Sequence, residues 1–455
     1  MWRQEQPAAA VSRRFLDPRA TPALRIHRRS LLGVGRGAAG LAALPVQVWL
    51  LARWKSSAAR RAIAAVPVEQ RGRFAAATGV PAGLQLSRLL ELARNHAIAP
   101  RDAYRLGLLR DGWPQRWAEF AYDSEPGWNA AAGTVAGRLH IRALGDKVAT
   151  ANRLSSVGIA CVPEIRVTPV EARTEDTDAL VARWLARWSR VHGKRRVGSR
   201  GEGAFELTKD GPGWVLREYQ SAGPVADPRN WLREHLAAQE YLIQPRLVSH
   251  SMFDGVADPT DVVTVRIFTR DVGTIPGRGV RARSTPHLFS ACLEVPVAPT
   301  SVVGRAYALL RVDSNGFVGP PVVPAWLPAV AEWSATEASL GRAQRELLGR
   351  RLPNFEGMLA DALRAHRQFP GLFAAAWDVA VTDEGSIFLE GNAGFGTAVP
   401  QWLGGGLFAE LGETGESDSP VDAGGDRREP EQPSVPKSQQ RSRRAPQLRR
   451  SSPRR

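Results

Sequence analysis

The chain reads as an α+β protein preceded by a helical region, and three observations predict that class. Apolar residues recur at helical spacing in AGLQLSRLLELARNHA (82–97) and RDAYRLGLLRDGWPQRWAEF (101–120), the period of a helix with one buried face. From about residue 141, short apolar and β-branched runs alternate with helical ones, which suits strands mixed with helices rather than a bundle. Near the other end, AAAWDVAVT and SIFLE are joined by DEG. That is a hairpin signal, with Gly385 at the position that tolerates positive φ.

The elements follow in order. A helix is expected over VATANRLSSVG, a short strand over Cys161 to Val167 and a helix over TDALVARWLARW (177–188). A Gly-rich loop, a strand-rich stretch and a helix at 229–239 come next. Strands are expected at 241–247, 262–269 and 287–295, with the hairpin pair at 374–381 and 386–390. The expected organisation is a basic segment (1–61), a helical lead-in (62–140), the α+β domain (141–411) and a disordered tail (412–455). The tail is rich in Gly, Ser, Pro and Arg and has little to bury.

Composition excludes several classes. At 455 residues and 43% hydrophobic content the chain can build two or three domains. Its +16 net charge sits at its ends: residues 1–61 carry twelve Arg or Lys against Glu5 and Asp17, and residues 437–455 are basic with no acidic residue. The body between them is slightly acidic, which disfavours a nucleic-acid groove through it. Cys161 and Cys292 lie in apolar surroundings without CxxC spacing, so neither a disulfide framework nor a cysteine zinc site is indicated, in keeping with a reducing cytosol. Cys161 reads as a small core residue. In HRRSLLGVGRGAAGLAALPVQVWLLARW (27–54), the uncharged run from Gly37 to Ala52 has 16 residues and contains Pro45 and Gln47. It is shorter than the roughly 20 residues that cross a bilayer. A helix packed on the body is the expectation, with contact to an anionic membrane surface through the basic termini as the alternative.

The hairpin carries chemistry. Asp378 leaves its first strand, and Glu390 and Asn392 leave the end of its second, two residues apart and so on one face. Antiparallel register places Asp378 opposite residue 389 or 390, and Leu389 should point the other way, into the core. Two carboxylates and an amide make an oxygen-only set that suits Mg²⁺. GKRRVGSRGEGAFEL (193–207) places Lys194 before Gly198, Gly201 and Gly203, a loop able to close backbone N–H groups over phosphate oxygens. The GxxxxGK[ST] order is absent. LGDKVATANRL offers Asp146 and Lys147 at a helix start, where an anion is also stabilised. Only five of the 61 basic residues are lysines, and two of them stand at these two positions.

The order of these motifs resembles the ATP-grasp superfamily: LGDK, a VGI…VP segment, K…GSRGEG, YLIQPRL, TVRIFT and WDVAVT…GSIFLEGN. It is most similar to the sugar-transfer-associated ATP-grasp family, across about 85–411. The resemblance implies an ATP-grasp fold, two α+β subdomains clasping ATP. It implies that Lys147 and Lys194 hold the α- and β-phosphates under a flap that includes Gly198, Ser199, Gly201 and Gly203. It implies that the backbone of Gln244, Pro245, Arg246 and Leu247 meets the adenine, that Arg266 faces the γ-phosphate or acyl phosphate, and that Asp378, Glu390 and Asn392 hold one or two Mg²⁺ ions. The sequence departs from the family where Arg195 replaces a proline after the flap lysine, and where VVGRAYALLRVDSNG (302–316) replaces a Gly-Gly segment.

The implied activity is ADP-forming ligation of a carboxylate to an amine, in bacterial polysaccharide, capsule or cell-envelope biosynthesis, with Lys194 and Arg266 in the reacting region. His250, Arg283 and His287 are candidates for substrate binding. The implied partners are a small-molecule or glycan-linked substrate and proteins of polysaccharide assembly, in the cytoplasm or at the inner membrane surface. A nucleotide-binding scaffold without turnover is the alternative.

Overall fold

The computed structural model describes residues 21–31, 59–96, 98–123, 125, 127–198, 201–219, 223–274, 285–298, 307–327 and 337–411. Most of the 27–54 segment and the whole Arg-rich tail lie outside them.

The architecture is α+β, as expected, with two antiparallel sheets. The first contains β1 (Ile165–Val167), β2 (Arg190–Arg195), β3 (Phe205–Asp210), β4 (Gly213–Glu218) and β5 (Tyr241–Pro245), in the order β1-β5-β2-β3-β4. The second contains β6 (Thr264–Arg270), β7 (His287–Pro296), β8 (Tyr307–Val312), β9 (Val318–Pro321), β10 (Ala374–Thr382) and β11 (Gly385–Asn392), in the order β11-β10-β6-β7-β8-β9. The 302–316 stretch, read from sequence only as a reduced Gly-Gly segment, supplies β8.

Each sheet buries one face under helices. Val191, Phe205, Leu207, Leu216, Tyr241 and Ile243 of the first pack with Leu180, Val181 and Trp184 of helix Thr177–Arg187 and with Leu232 and Leu236 of helix Pro228–Ala238. Strand period 2 turns the intervening residues, His192 and Lys194 of β2 and Gln244 of β5, to the other face. Gly193 between them is required by packing, since a Cβ there would come within 2.2 Å of the Phe205 ring.

In the second sheet Val265, Ile267, Leu293, Val295, Leu310, Trp377, Val379 and Val381 pack against Phe355, Met358 and Ala362 of helix Phe355–Arg367. Trp377 is fully buried, and its indole N–H donates to the Thr269 hydroxyl (2.9 Å). The opposite face divides along its strands. Phe268, Cys292, Leu309 and Ala376 form an apolar part covered by Val399 and Trp402 of helix Ala398–Gly404. Thr264, Arg266, Glu294, Tyr307 and Asp378 form a polar part that stays open.

The helical lead-in has a core of its own, in which Phe74, Leu89, Leu92, Leu108, Leu109 and Phe120 are buried. Trp326, from beyond β9, joins it and donates its indole N–H to the Tyr104 carbonyl (2.8 Å). Within the basic N-terminal segment, Ala23 and Ile26 of helix Pro22–Leu31 bury against Trp128, Phe373 and Phe408, while the 37–52 run expected to pack on the body lies outside the described residues. His27 of that helix is fully buried. Its Nδ1 lies 2.7 Å from Glu125 Oε2 and its Nε2 3.0 Å from the Ala118 carbonyl. Both neighbours are acceptors, an arrangement that favours the doubly protonated ring, the imidazolium. Cys161 is half-buried, Cys292 is buried, and both are free thiols. Among the described residues no helix is long and apolar enough to cross a membrane.

Two outcomes are expected in equilibrium unfolding. Trp377→Ala should cost about 3–5 kcal/mol, the usual range for deleting a buried Trp side chain. Burial lowers the His27 pKa, but Glu125 and the Ala118 carbonyl raise it further, leaving it above the ordinary value. Its contribution, about 1.5–3 kcal/mol for hydrogen bonds to a charged group, is therefore fully present below pH 6.5 and disappears as pH rises through the elevated folded value. The stability gap between wild type and His27→Gln should shrink along that path, and a gap independent of pH would refute the imidazolium.

Candidate active site

A cleft of about 190 Å³ lies between the polar faces of the two sheets. The start of helix Lys147–Ser155 closes one end. Asp146 caps that helix, accepting from the N–H groups of Val148 (3.1 Å) and Ala149 (3.2 Å), and pairs with Arg196 through Nε (3.0 Å) and Nη2 (2.5 Å). The Arg196 hydrogen bonds hold the Asp146 carboxyl below the usual range. The helix start expected to attract an external anion therefore already holds one of the chain's own. Lys147, at the first helical position, reaches on into the cleft. Its Nζ donates to the Gly198 carbonyl (2.9 Å) and stands 4.0 Å from Glu390 Oε2.

Lys194 enters from the first sheet and donates to the Leu389 carbonyl (3.5 Å). Burial, opposed by Glu390 and reinforced by Lys147, holds its ammonium below the ordinary lysine pKa. Glu390 answers from the second sheet. Burial would raise its carboxyl, yet Lys194, the Asn392 amide, Lys147 and Arg266 together bring it below the usual value. Asn392 donates its Nδ2 to Glu390 Oε1 (3.0 Å) without lining the cleft.

β10 and β11 pair Asp378 with Glu390, the register expected from the turn. The next pair is Val379 with Phe388, so Leu389 is the extra residue of a β-bulge. The bulge corrects the core assignment of Leu389. The extra residue is half-buried and lines the cleft, while Phe388 is buried in the core in its place.

Arg266 lies beside Asp378 in the β6–β10 register. It donates Nε to Oδ1 (2.6 Å) and Nη2 to Oδ2 (2.8 Å) of Asp378, and its Nη1 stands 3.0 Å from Glu294 Oε1. Thr264 donates its hydroxyl to Glu294 Oε2 (3.3 Å). Burial would lower the Arg266 pKa, but the two carboxylates raise it well above its ordinary value.

The structure brings Lys147, Lys194, Gly198, Gly201, Gln244, Pro245, Arg246, Leu247, Arg266, Asp378 and Glu390 to one cleft. Gly201 takes φ +70, and a Cβ there would meet the Tyr219 ring at 2.6 Å. Gly203 turns aside from the cleft, its carbonyl accepting from the Tyr241 hydroxyl (3.0 Å). Ser199 and Arg283 lie outside the described residues. The two histidines are elsewhere. His250 Nδ1 accepts from the Met252 N–H (3.0 Å) beside Asp383 at the hairpin turn. His287 Nε2 lies 3.3 Å from Arg270 Nη2, and burial and that guanidinium push its pKa down. Neither of them lines the cleft. Reading the sequence missed Glu294, Thr264, Asp261, Tyr307 and His192, all of which line the cleft. The available signals were the lone carboxylate in the apolar run HLFSACLEVP and the strand pattern of YALLRV.

Of the oxygen-only set, Asp378 and Glu390 line the cleft and Asn392 does not, and among the described residues no three His, Cys, Asp or Glu side chains are grouped so as to hold a metal ion. Glu390 and Asp378 are direct cross-strand neighbours, and Asp378 keeps lone pairs beyond the two that Arg266 occupies.

No protein-family model and no curated protein matches the sequence. Among solved structures, the chain is similar to the ATP-grasp ligase PsnB complexed with a minimal precursor, at 12% identity and a TM-score of 0.33, over 62% of this chain and 61% of that one. It is similar to the D-alanine-D-alanine ligase from Coxiella burnetii at 13% identity and a TM-score of 0.34, over 62% of this chain and 58% of that one. It is also similar to the D-cycloserine synthetase DcsG at 13% identity and a TM-score of 0.32, over 60% of this chain and 70% of that one. The chain thus spans less than two thirds of the first two proteins' length.

Removing the guanidinium that Asp378 and Glu294 share should leave two largely buried carboxylates uncompensated. Arg266→Met is expected to destabilise the chain by about 3–5 kcal/mol at pH 7. Part of that loss should return toward pH 5, because the abandoned carboxyls take up protons more readily in the folded state. Unfolding midpoints of the variant at the two pH values check this, and a loss unchanged by acid would show that Arg266 does not neutralise the pair.

Proposed function

We propose that the cleft binds Mg-ATP and that the chain is an ADP-forming, ATP-grasp-type ligase joining a carboxylate to an amine. One observation carries the reading: Lys147 from a helix start and Lys194 from the first sheet converge on Glu390 of the second, beside Asp378. Two ammonium groups over a pair of carboxylates form a site for a polyphosphate and its counter-ion. Lysine is scarce in this chain, and Lys-for-Arg usage here supplies compact point charges rather than planar forks.

Asp378 and Glu390 would hold Mg²⁺, with Asn392 beside them, and the ion would neutralise phosphate charge. Lys147 and Lys194 donate N–H groups to phosphate oxygens as nucleotide displaces their present partners, the Gly198 and Leu389 carbonyls. Leu389 and the Gln244–Leu247 backbone supply an apolar edge and main-chain polar groups for the base. Arg266 orients Asp378 and keeps Glu294 from repelling the phosphates. A carboxylate oxygen of the substrate attacks the γ-phosphorus as the bond to the β-phosphate oxygen breaks, releasing ADP. An amine then attacks the acyl carbon, and phosphate leaves with the amine proton passing to solvent. The resemblance of the motif order to the sugar-transfer-associated family supports extending this proposal to envelope polysaccharide synthesis, with donor and acceptor left open.

Calorimetry with Mg-ATP tests the nucleotide. Lys194→Ala should weaken binding more than tenfold, the loss of one charge-assisted contact of about 1.5–3 kcal/mol; unchanged affinity would overturn the phosphate assignment. ADP release across a panel of amino acids, amines and sugar acids tests the reaction. With a substrate that supports turnover, Glu390→Gln should fold normally and lose activity by at least about a hundredfold.

A further inference from the structure

Beyond the phosphate end, the cleft contains a guanidinium that the ligase reading leaves without work. Arg246 follows β5, and its main-chain N–H donates to the Arg190 carbonyl (3.0 Å). Its side chain lines the cleft yet is only 10% exposed. Its Nη1 stands 3.6 Å from Asp261 Oδ1. Asp261 is itself fixed, accepting from the Val262 N–H (2.8 Å) on Oδ1 and from the Tyr307 hydroxyl (2.6 Å) on Oδ2. Among the described residues, Nε and Nη2 of Arg246 are buried and have no hydrogen-bond partner.

These two nitrogens share one edge of the guanidinium, the edge that matches two oxygens of a carboxylate or phosphate. Arg266 shows the pairing in this same cleft, giving Nε and Nη2 to the two oxygens of Asp378. At Arg246 the protein supplies an anchor for the far nitrogen and nothing for the fork. A buried donor without a partner is unfavourable, and a bound acceptor removes that penalty. The position is separate from the phosphate lysines. In the β2–β5 register Lys194 lies opposite Leu242, four residues before Arg246, roughly 13 Å along a strand.

We propose that Arg246 is a binding residue for a two-oxygen anionic group of the substrate, a carboxylate or a phosphate distinct from the nucleotide's phosphates, with Asp261 and Tyr307 positioning it. The Thr264 and Tyr307 hydroxyls also line the cleft, and its Glu294 and Asp261 carboxylates are already paired with Arg266 and Arg246. The substrate is then a small acid or phosphorylated molecule, not an apolar one. For the reaction it serves, this inference rests on the ligase reading above.

The test is isothermal titration of the full chain with Mg-AMPPNP at saturation, using sodium succinate and inorganic phosphate as separate probes. The wild type should bind one of them, and which one binds identifies carboxylate or phosphate as the group. Arg246→Met should weaken that probe at least tenfold, and Arg246→Lys, which keeps the charge and loses the fork, should not restore it. Thermal unfolding run alongside establishes that the variants fold, and the Lys variant carries the test if the Met variant does not. Failure of both probes to bind the wild type, or equal binding to wild type and folded variants, would overturn the assignment. The Mg-AMPPNP titration that precedes the probes reads the ligase proposal separately. Absent nucleotide binding removes that proposal, and the probes run without nucleotide on Lys194→Ala then still report on Arg246.

Discussion

The polar half of the second sheet depends on a guanidinium shared by two carboxylates. Arg266, Asp378 and Glu294 sit on three adjacent strands, β6, β10 and β7, with Asp378 and Glu294 almost wholly buried. Either acid alone would carry an uncompensated charge in a low-dielectric place. Paired, they can occupy sheet positions that would otherwise go to Val or Leu. The fork geometry also orients Asp378, which pairs across the strands with Glu390 and lines the cleft with it.

That arrangement explains how one sheet face serves two purposes. Strand period 2 fixes which residues share the face, and what covers it changes along the strand. Where helix Ala398–Gly404 lies across it, the face is Phe268, Cys292, Leu309 and Ala376. Two residues further along the same strands come Arg266, Glu294, Tyr307 and Asp378, which line the cleft. The other side of the sheet is apolar apart from Thr269, whose hydroxyl meets Trp377 and His366, and it packs on helix Phe355–Arg367. The cleft is thus held by a rigid, fully packed ladder.

Against that ladder, the first sheet presents fewer charges and more backbone. Lys194 and Lys147 arrive from different elements. They meet because Asp146 ties the helix start to Arg196, which follows β2, and Arg196 in turn pairs with Glu240 (2.9 Å). The two lysines flank one carboxylate, and their mutual repulsion is held down by it. In the function proposed above, a polyphosphate would exchange these carbonyl contacts for charged ones, which favours binding over the present arrangement.

Much of this was legible in the sequence. The hairpin of Asp378 and Glu390 is local: a DEG turn and two apolar runs set the register to within a residue. The helices at 82–96, 177–187 and 228–238 follow from apolar periodicity, and the two lysines from their rarity. What the sequence left open depended on distant partners. The bulge that turns Leu389 into the cleft and Phe388 into the core comes from how β11 meets both β10 and the Ala160 carbonyl, which accepts from the Phe388 N–H (2.8 Å). In sequence Glu294 is one charge in an apolar strand, and its pairing with Arg266, 28 positions away, exists only in the fold. His250 and His287 have residue types suited to a site, but their surroundings engage them elsewhere. Arg246 has a position in a motif, whereas its unpaired fork follows from burial and from Asp261 and Tyr307 arriving on other segments. Period, turn chemistry and residue type act over a few neighbours and can be read along the chain. Charge compensation and burial are set by groups far apart in sequence, so only the tertiary structure decides them.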